Sequence, residues 1–130
     1  MEMSVRFELF VSDRAATIAF YTEVLPFRVA DESQRYTRLE CGTVIIGIGQ
    51  IRDLPGEAGD GGFSQAKLAA NRGAGVEIVL ETSELADIHQ RVIESGWPLT
   101  APLQQRPWGL TDFRITDPDG YYLRITDAEP

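Results

Sequence analysis

Apolar residues recur at every second position in VRFELFV (residues 5–11). That spacing predicts a strand with Phe7, Leu9 and Val11 on one face and Arg6, Glu8 and Phe10 on the other. Within RAATIAFYTEVL (14–25) the spacing becomes helical, with Ala16, Ile18/Ala19 and Tyr21/Val24 as the stripe. Ser12-Asp13 offers capping oxygens ahead of it, and Pro26 stops it because proline restricts its predecessor and lacks an N–H. Short strands are predicted around 28–31, 36–40 and 43–48, with Cys41-Gly42 as a turn and Val44, Ile46 and Ile48 on the face of Arg6 and Glu8.

The same order then returns. Residues 76–80 read as a strand, with Val76, Ile78 and Leu80 opposite Glu77, Val79 and Glu81. Ser83 is placed to cap the helix ELADIHQRVIESG, whose stripe is Leu85, Ile88 and Val92 and which ends at Gly96. Strands around 99–101, 111–116 and 121–126 follow, the last two joined at DPDG. The order β-α-β-β-β therefore occurs twice, in about 5–49 and 75–126. Between them a glycine-rich stretch, about 50–74, holds at most one short helix near 64–71 and reads as a linker or a site cover. The 130 residues are expected to form a single domain. Amphipathic helices on one face of each sheet leave the other free, and Tyr122, Arg124 and Thr126 share the free face with Glu77, Val79 and Glu81.

Composition narrows what that face can do. Hydrophobic residues are 43% and charged residues 25%, an ordinary globular balance. The formal net charge of −8 offers no basic patch for phosphates, which argues against nucleic acid and suits a cationic ligand. No apolar run is long enough to span a bilayer and no leader pattern opens the chain, so a cytoplasmic location without a membrane partner is expected. One cysteine, Cys41, excludes an internal disulfide or multi-cysteine zinc site. One histidine, His89, lies beside the apolar stripe of the second helix and reads as a partly exposed helix residue.

The run FELFVSDRAATIAFYTEVLPF resembles the opening module of the vicinal-oxygen-chelate superfamily, which contains glyoxalase I, bleomycin-resistance proteins and extradiol dioxygenases. GWPLTAPLQQRPWGLTDFRITDPDGYYLRIT resembles its second module, with the PWG…F…DPDG pattern of bleomycin-resistance-like members. The resemblance implies an α+β fold of paired βαβββ modules, an open cup of mixed sheet with helices on the outer faces, and a homodimer. In metal-dependent members four inward residues hold a divalent ion. Carried over by position, these fall at Arg6, near Ile46, at Glu77 and at Arg124. An arginine has no lone pair to offer, so no metal and no other cofactor is expected. Glu77 is expected to contact Arg6, Arg124 or both, either as a structural ion-pair network or as part of a ligand site.

The ligand-binding candidates are accordingly Arg6, Glu8, Phe10, Ile46, Glu77, Glu81, Trp108, Tyr122 and Arg124. Trp108, Phe10 and Tyr122 would stack on a flat ligand, and Glu8 or Glu81 would pair with its amines. A packing role for Trp108 stands beside the stacking one. The implied function is metal-independent binding of a small molecule, in the manner of antibiotic sequestration. The alternative is a lyase, isomerase or dioxygenase of the same superfamily, with catalytic residues unassigned.

Overall fold

The computed structural model describes residues 1–57, 62–70 and 72–128. The chain forms two compact units, Met1–Arg72 and Gly73–Pro130.

In the first unit, β1 (Phe7–Val11), β2 (Arg28–Glu32), β3 (Tyr36–Cys41) and β4 (Val44–Gln50) form one mixed sheet in the order β1-β4-β3-β2. β1 runs parallel to β4, and the other neighbours are antiparallel. α1 (Arg14–Ala19) is capped by Asp13, whose carboxylate accepts from the Ala16 N–H at 3.1 Å. The helix then widens into a π turn over Phe20–Val24, with the Leu25 N–H donating to the Phe20 carbonyl at 3.2 Å. The buried positions are Thr17, Phe20, Tyr21 and Val24. They follow the i, i+3, i+4, i+7 rule but start one residue later than the expected stripe. The large rings of Phe20 and Tyr21 set the orientation, and the alanines follow. Tyr21 lies edge-on to both Phe20 and Phe27, with centroids 4.9 and 5.6 Å apart.

The second unit repeats the topology. β5 (Glu77–Thr82), β6 (Ala101–Gln105), β7 (Thr111–Thr116) and β8 (Tyr122–Asp127) take the order β5-β8-β7-β6, with β5 parallel to β8. α3 (Leu85–Ser95) ends at Gly96, whose φ of 79° is the left-handed conformation glycine tolerates. Ser83 does not cap it. The Glu84 N–H is instead taken by the Thr82 hydroxyl at 3.0 Å. At the DPDG turn the Asp117 carboxylate accepts from the N–H groups of Asp119 and Tyr121, both at 2.9 Å. The linker's expected helix is present as α2 (Gln65–Ala70), while residues 58–61 and 71 of that linker lie outside the described residues.

Both sheets are open, and each buries one face. Leu9, Val11, Leu39, Ile46 and Ile48 form the first core, and Ile78, Phe113, Ile115, Leu123 and Ile125 the second. This corrects the expected parity of β4. Register pairs Phe7 with Ile46 and Leu9 with Ile48, so both isoleucines lie on the core face and Ile46 is fully buried. Ile46 is no part of the free face. VIIGIGQ is apolar on both faces, so alternation alone could not assign it. The free face of β4 is occupied by Gly47 and Gly49, opposite Glu8 and Phe10. In the second unit the expected parity holds: Glu77, Val79 and Glu81 stand beside Tyr122, Arg124 and Thr126.

Candidate functional site

On the first unit's free face, Glu8 of β1 and Tyr36 of β3 meet across β4. The Tyr36 hydroxyl donates to the Glu8 carboxylate at 2.9 Å. Gly47 makes this possible, because a Cβ there would run into both the Tyr36 hydroxyl and the Glu8 carboxylate. Burial, and then the Glu8 carboxylate that accepts its proton, hold the Tyr36 phenol above its ordinary value. Arg6 lies just before β1 and pairs with Glu8 at 3.0 Å. Glu40 is held by Arg28 at 2.7 Å and Arg38 at 2.9 Å. Phe10 packs against the linker's Phe63, centroids 4.9 Å apart. The charged groups of this face are thus matched to one another.

The second unit's free face differs. Register sets Arg114 of β7 directly opposite Arg124 of β8, with Asp112 opposite Thr126. Like charges facing across a ladder repel, so each guanidinium needs a counter-charge. Asp112 is fully buried and supplies one, with its Oδ1 2.8 Å from Arg106 Nε and 3.4 Å from Arg114 Nε. Arg114 also donates to the Tyr122 hydroxyl at 3.3 Å. Arg124 pairs through one terminal nitrogen with Glu77 at 3.1 Å, which is the contact expected for Glu77. Its guanidinium lies 5.7 Å from the Trp108 ring centroid.

These pairings leave atoms over. The Nε–H groups of Arg114 and Arg124 and the second oxygen of Asp112 are buried without a hydrogen-bond partner. Buried donors of this kind call for an acceptor. Beside Arg124 is a pocket of about 410 Å³ lined by Val79, Glu81, Trp108, Leu110 and Thr126 together with Arg124 itself. Trp108 is 55% exposed, so its packing role is small. Trp97, by contrast, is anchored by donation from its Nε1 to the Thr116 carbonyl at 2.9 Å.

Of the expected residues, the fold brings Glu81, Trp108 and Arg124 to one pocket, with Glu77 and Tyr122 on the same sheet face. Arg6, Glu8 and Phe10 belong to the first unit's face, and Ile46 to its core. The sequence reading missed Asp112, Arg114 and Tyr36. Phe113 and Ile115 alternate with Asp112 and Arg114, so the signal for the first two was present in TDFRIT.

These residues do not fit a chelated divalent ion. Among the described residues there is no group of three or more histidine, cysteine, aspartate or glutamate side chains placed to hold one. His89 stacks edge-on against Phe113, 5.2 Å between centroids, on the buried side of the sheet.

Several solved structures share this fold. A bleomycin-binding protein complexed with bleomycin is 19% identical over 98% of this chain and 100% of its own, with a TM-score of 0.70. A virulence protein from Salmonella typhimurium is 22% identical over 99% and 98%, with a TM-score of 0.72. A lactoylglutathione lyase from Agrobacterium tumefaciens is 14% identical over 98% and 95%, with a TM-score of 0.73. At these identities the likeness speaks for the fold alone. No curated protein matches the chain. The family model for the glyoxalase, bleomycin resistance protein and dioxygenase superfamily matches residues 4–125, and with the doubled βαβββ topology this makes the chain a member of that superfamily.

Proposed function

We propose that the protein binds a small organic molecule without a metal and acts by sequestering it. The observation that carries this reading is the pocket where the half-exposed ring of Trp108 meets Arg124, a half-buried cation whose buried Nε–H has no acceptor. An aromatic ring with a guanidinium against it offers stacking and hydrogen bonding to a flat ligand. The bleomycin-bound relative is a precedent for binding on this fold. A glyoxalase- or dioxygenase-type reaction draws its power from a metal acting as Lewis acid or oxygen activator, and the side chains present suit that role poorly. Homodimerisation and a cytoplasmic location belong to the same proposal. Among the described residues no helix is long and apolar enough to cross a membrane.

A thermal-shift screen of cationic antibiotics and small organic acids, run with and without EDTA, tests the reading. Ligand at a hundredfold its Kd stabilises the native state by about 2.7 kcal/mol. A compound that raises the melting temperature equally in both buffers supports metal-free binding. A shift that appears only with added nickel, zinc or iron overturns it.

A further inference from the structure

The pocket of the second unit has two chemically opposite ends. At one end is Arg124, whose terminal nitrogen is engaged by Glu77 while its Nε–H is buried without an acceptor. Arg114 stands directly opposite across the β7–β8 ladder, behind the pocket lining, with its Nε 3.4 Å from the Asp112 carboxylate. At the other end is Glu81, a lining residue beside Thr126, two positions along β8 from Arg124. Two residues along a strand span about 7 Å. Between the ends the wall is apolar, formed by Val79, Leu110 and the ring of Trp108.

We propose that this pocket recognises a flat aromatic zwitterion, with a carboxylate on the arginine end and a protonated amine on Glu81. The inference rests on the small-molecule reading above and names the ligand's chemistry. A carboxylate at Arg124 supplies the missing acceptor and lowers the repulsion between the paired guanidiniums. The amine gives Glu81 a counter-ion, and the ring linking the two groups fills the apolar middle against Trp108. A purely cationic ligand would leave the Arg124 Nε–H unmet and bring positive charge towards two arginines. A purely anionic one would face the Glu81 carboxylate.

The probes are 4-(aminomethyl)benzoate, which carries both groups at opposite ends of one ring, 4-methylbenzoate with the acid alone, and 4-methylbenzylamine with the amine alone. Each is titrated into the full chain while the arginine Nε–H and tryptophan indole N–H resonances are followed by NMR. The two-ended probe is expected to bind about two- to fivefold more tightly than either one-ended probe, the upper part of the range for an exposed ion pair. It should move the Arg124 Nε–H and Trp108 signals while leaving that of Trp97 in place. Glu81→Gln should reduce its affinity to that of 4-methylbenzoate. Arg124→Lys keeps a charge for Glu77 but loses the Nε–H, and should weaken both acid-bearing probes about equally. If 4-methylbenzylamine binds as tightly as the two-ended probe, the zwitterion inference falls and a cationic ligand stands. Equal binding by 4-methylbenzoate, or no effect of Glu81→Gln, also overturns it. Silence from all three probes while the screen yields another ligand defeats the inference alone. Silence in both experiments defeats the binding reading as well.

Discussion

Asp112→Ala tests the electrostatic core of the second unit most sharply. The carboxylate is fully buried and is the counter-ion for Arg106 and, at longer range, Arg114. Removing one partner of a buried ion pair leaves uncompensated charge and typically costs 3–5 kcal/mol. Both arginines retain some contact with water, Arg114 the more, which moves the expectation to the lower end, about 3 kcal/mol. For a chain of this size that is a fall of about 12 °C in Tm, at roughly 4 °C per kcal/mol. Asp112→Asn keeps an acceptor for the Arg106 Nε–H but loses the charge. A charge-assisted hydrogen bond is roughly twice as strong as a neutral one, so the asparagine variant should lose about half as much. Urea unfolding of wild type, Asp112→Ala, Arg106→Met and the double variant gives the coupling energy directly. Additive losses, or an Asp112→Ala cost under about 1 kcal/mol, would refute the reasoning.

Gly47→Ala should push Glu8 and Tyr36 apart where they meet over β4, at a cost of about 1–3 kcal/mol by denaturant unfolding. A neutral result would mean the two side chains move aside freely. The Tyr36 phenol, raised by burial and by Glu8, should ionise later than ordinary tyrosines in an ultraviolet titration, and Glu8→Gln should bring it down. Because the raised form is the neutral one, its contribution to stability is fully present below about pH 10. It is lost as pH rises through the folded value, so the wild-type advantage over Tyr36→Phe should shrink only in that alkaline window. Glu77→Gln should cost under about 1 kcal/mol, since Glu77 is 37% exposed and its pairing with Arg124 is screened by solvent; a loss above about 2 kcal/mol would show a deeper pair.

Much of the fold was legible because two periods alternate cleanly along the chain. The faces of β5 and β8 could be assigned because Glu77 and Glu81 mark one face of β5 and Arg124 separates Leu123 from Ile125 in β8. β4 was misassigned for the opposite reason, since neither face of VIIGIGQ carries a charge and only pairing with β1 decides its orientation. The glycines that open the free face carry no side chain, so alternation could not reveal their role. The Arg124–Glu77 contact was one of the pairings, with Arg6, Arg124 or both, that the family resemblance implied for Glu77. The opposition of Arg114 and Arg124 depends on the β7–β8 register, set by the length of the DPDG turn. The first helix shows a further limit: a stripe counted by apolar identity gave the alanines equal weight with rings that bury far more area.

Trp108→Ala, measured on one preparation in EDTA for both melting temperature and affinity for a compound found in the screen, tests the binding claim most directly. With Trp108 55% exposed, the fold should survive with Tm within about 3 °C, under 1 kcal/mol at the usual conversion. The Kd should rise about two- to twelvefold, the equivalent of a lost stacking contact of roughly 0.5–1.5 kcal/mol. A Tm loss of more than about 12 °C with unchanged affinity would contradict it, because that is the signature of a core aromatic, at 3–5 kcal/mol, and not of a residue against a ligand.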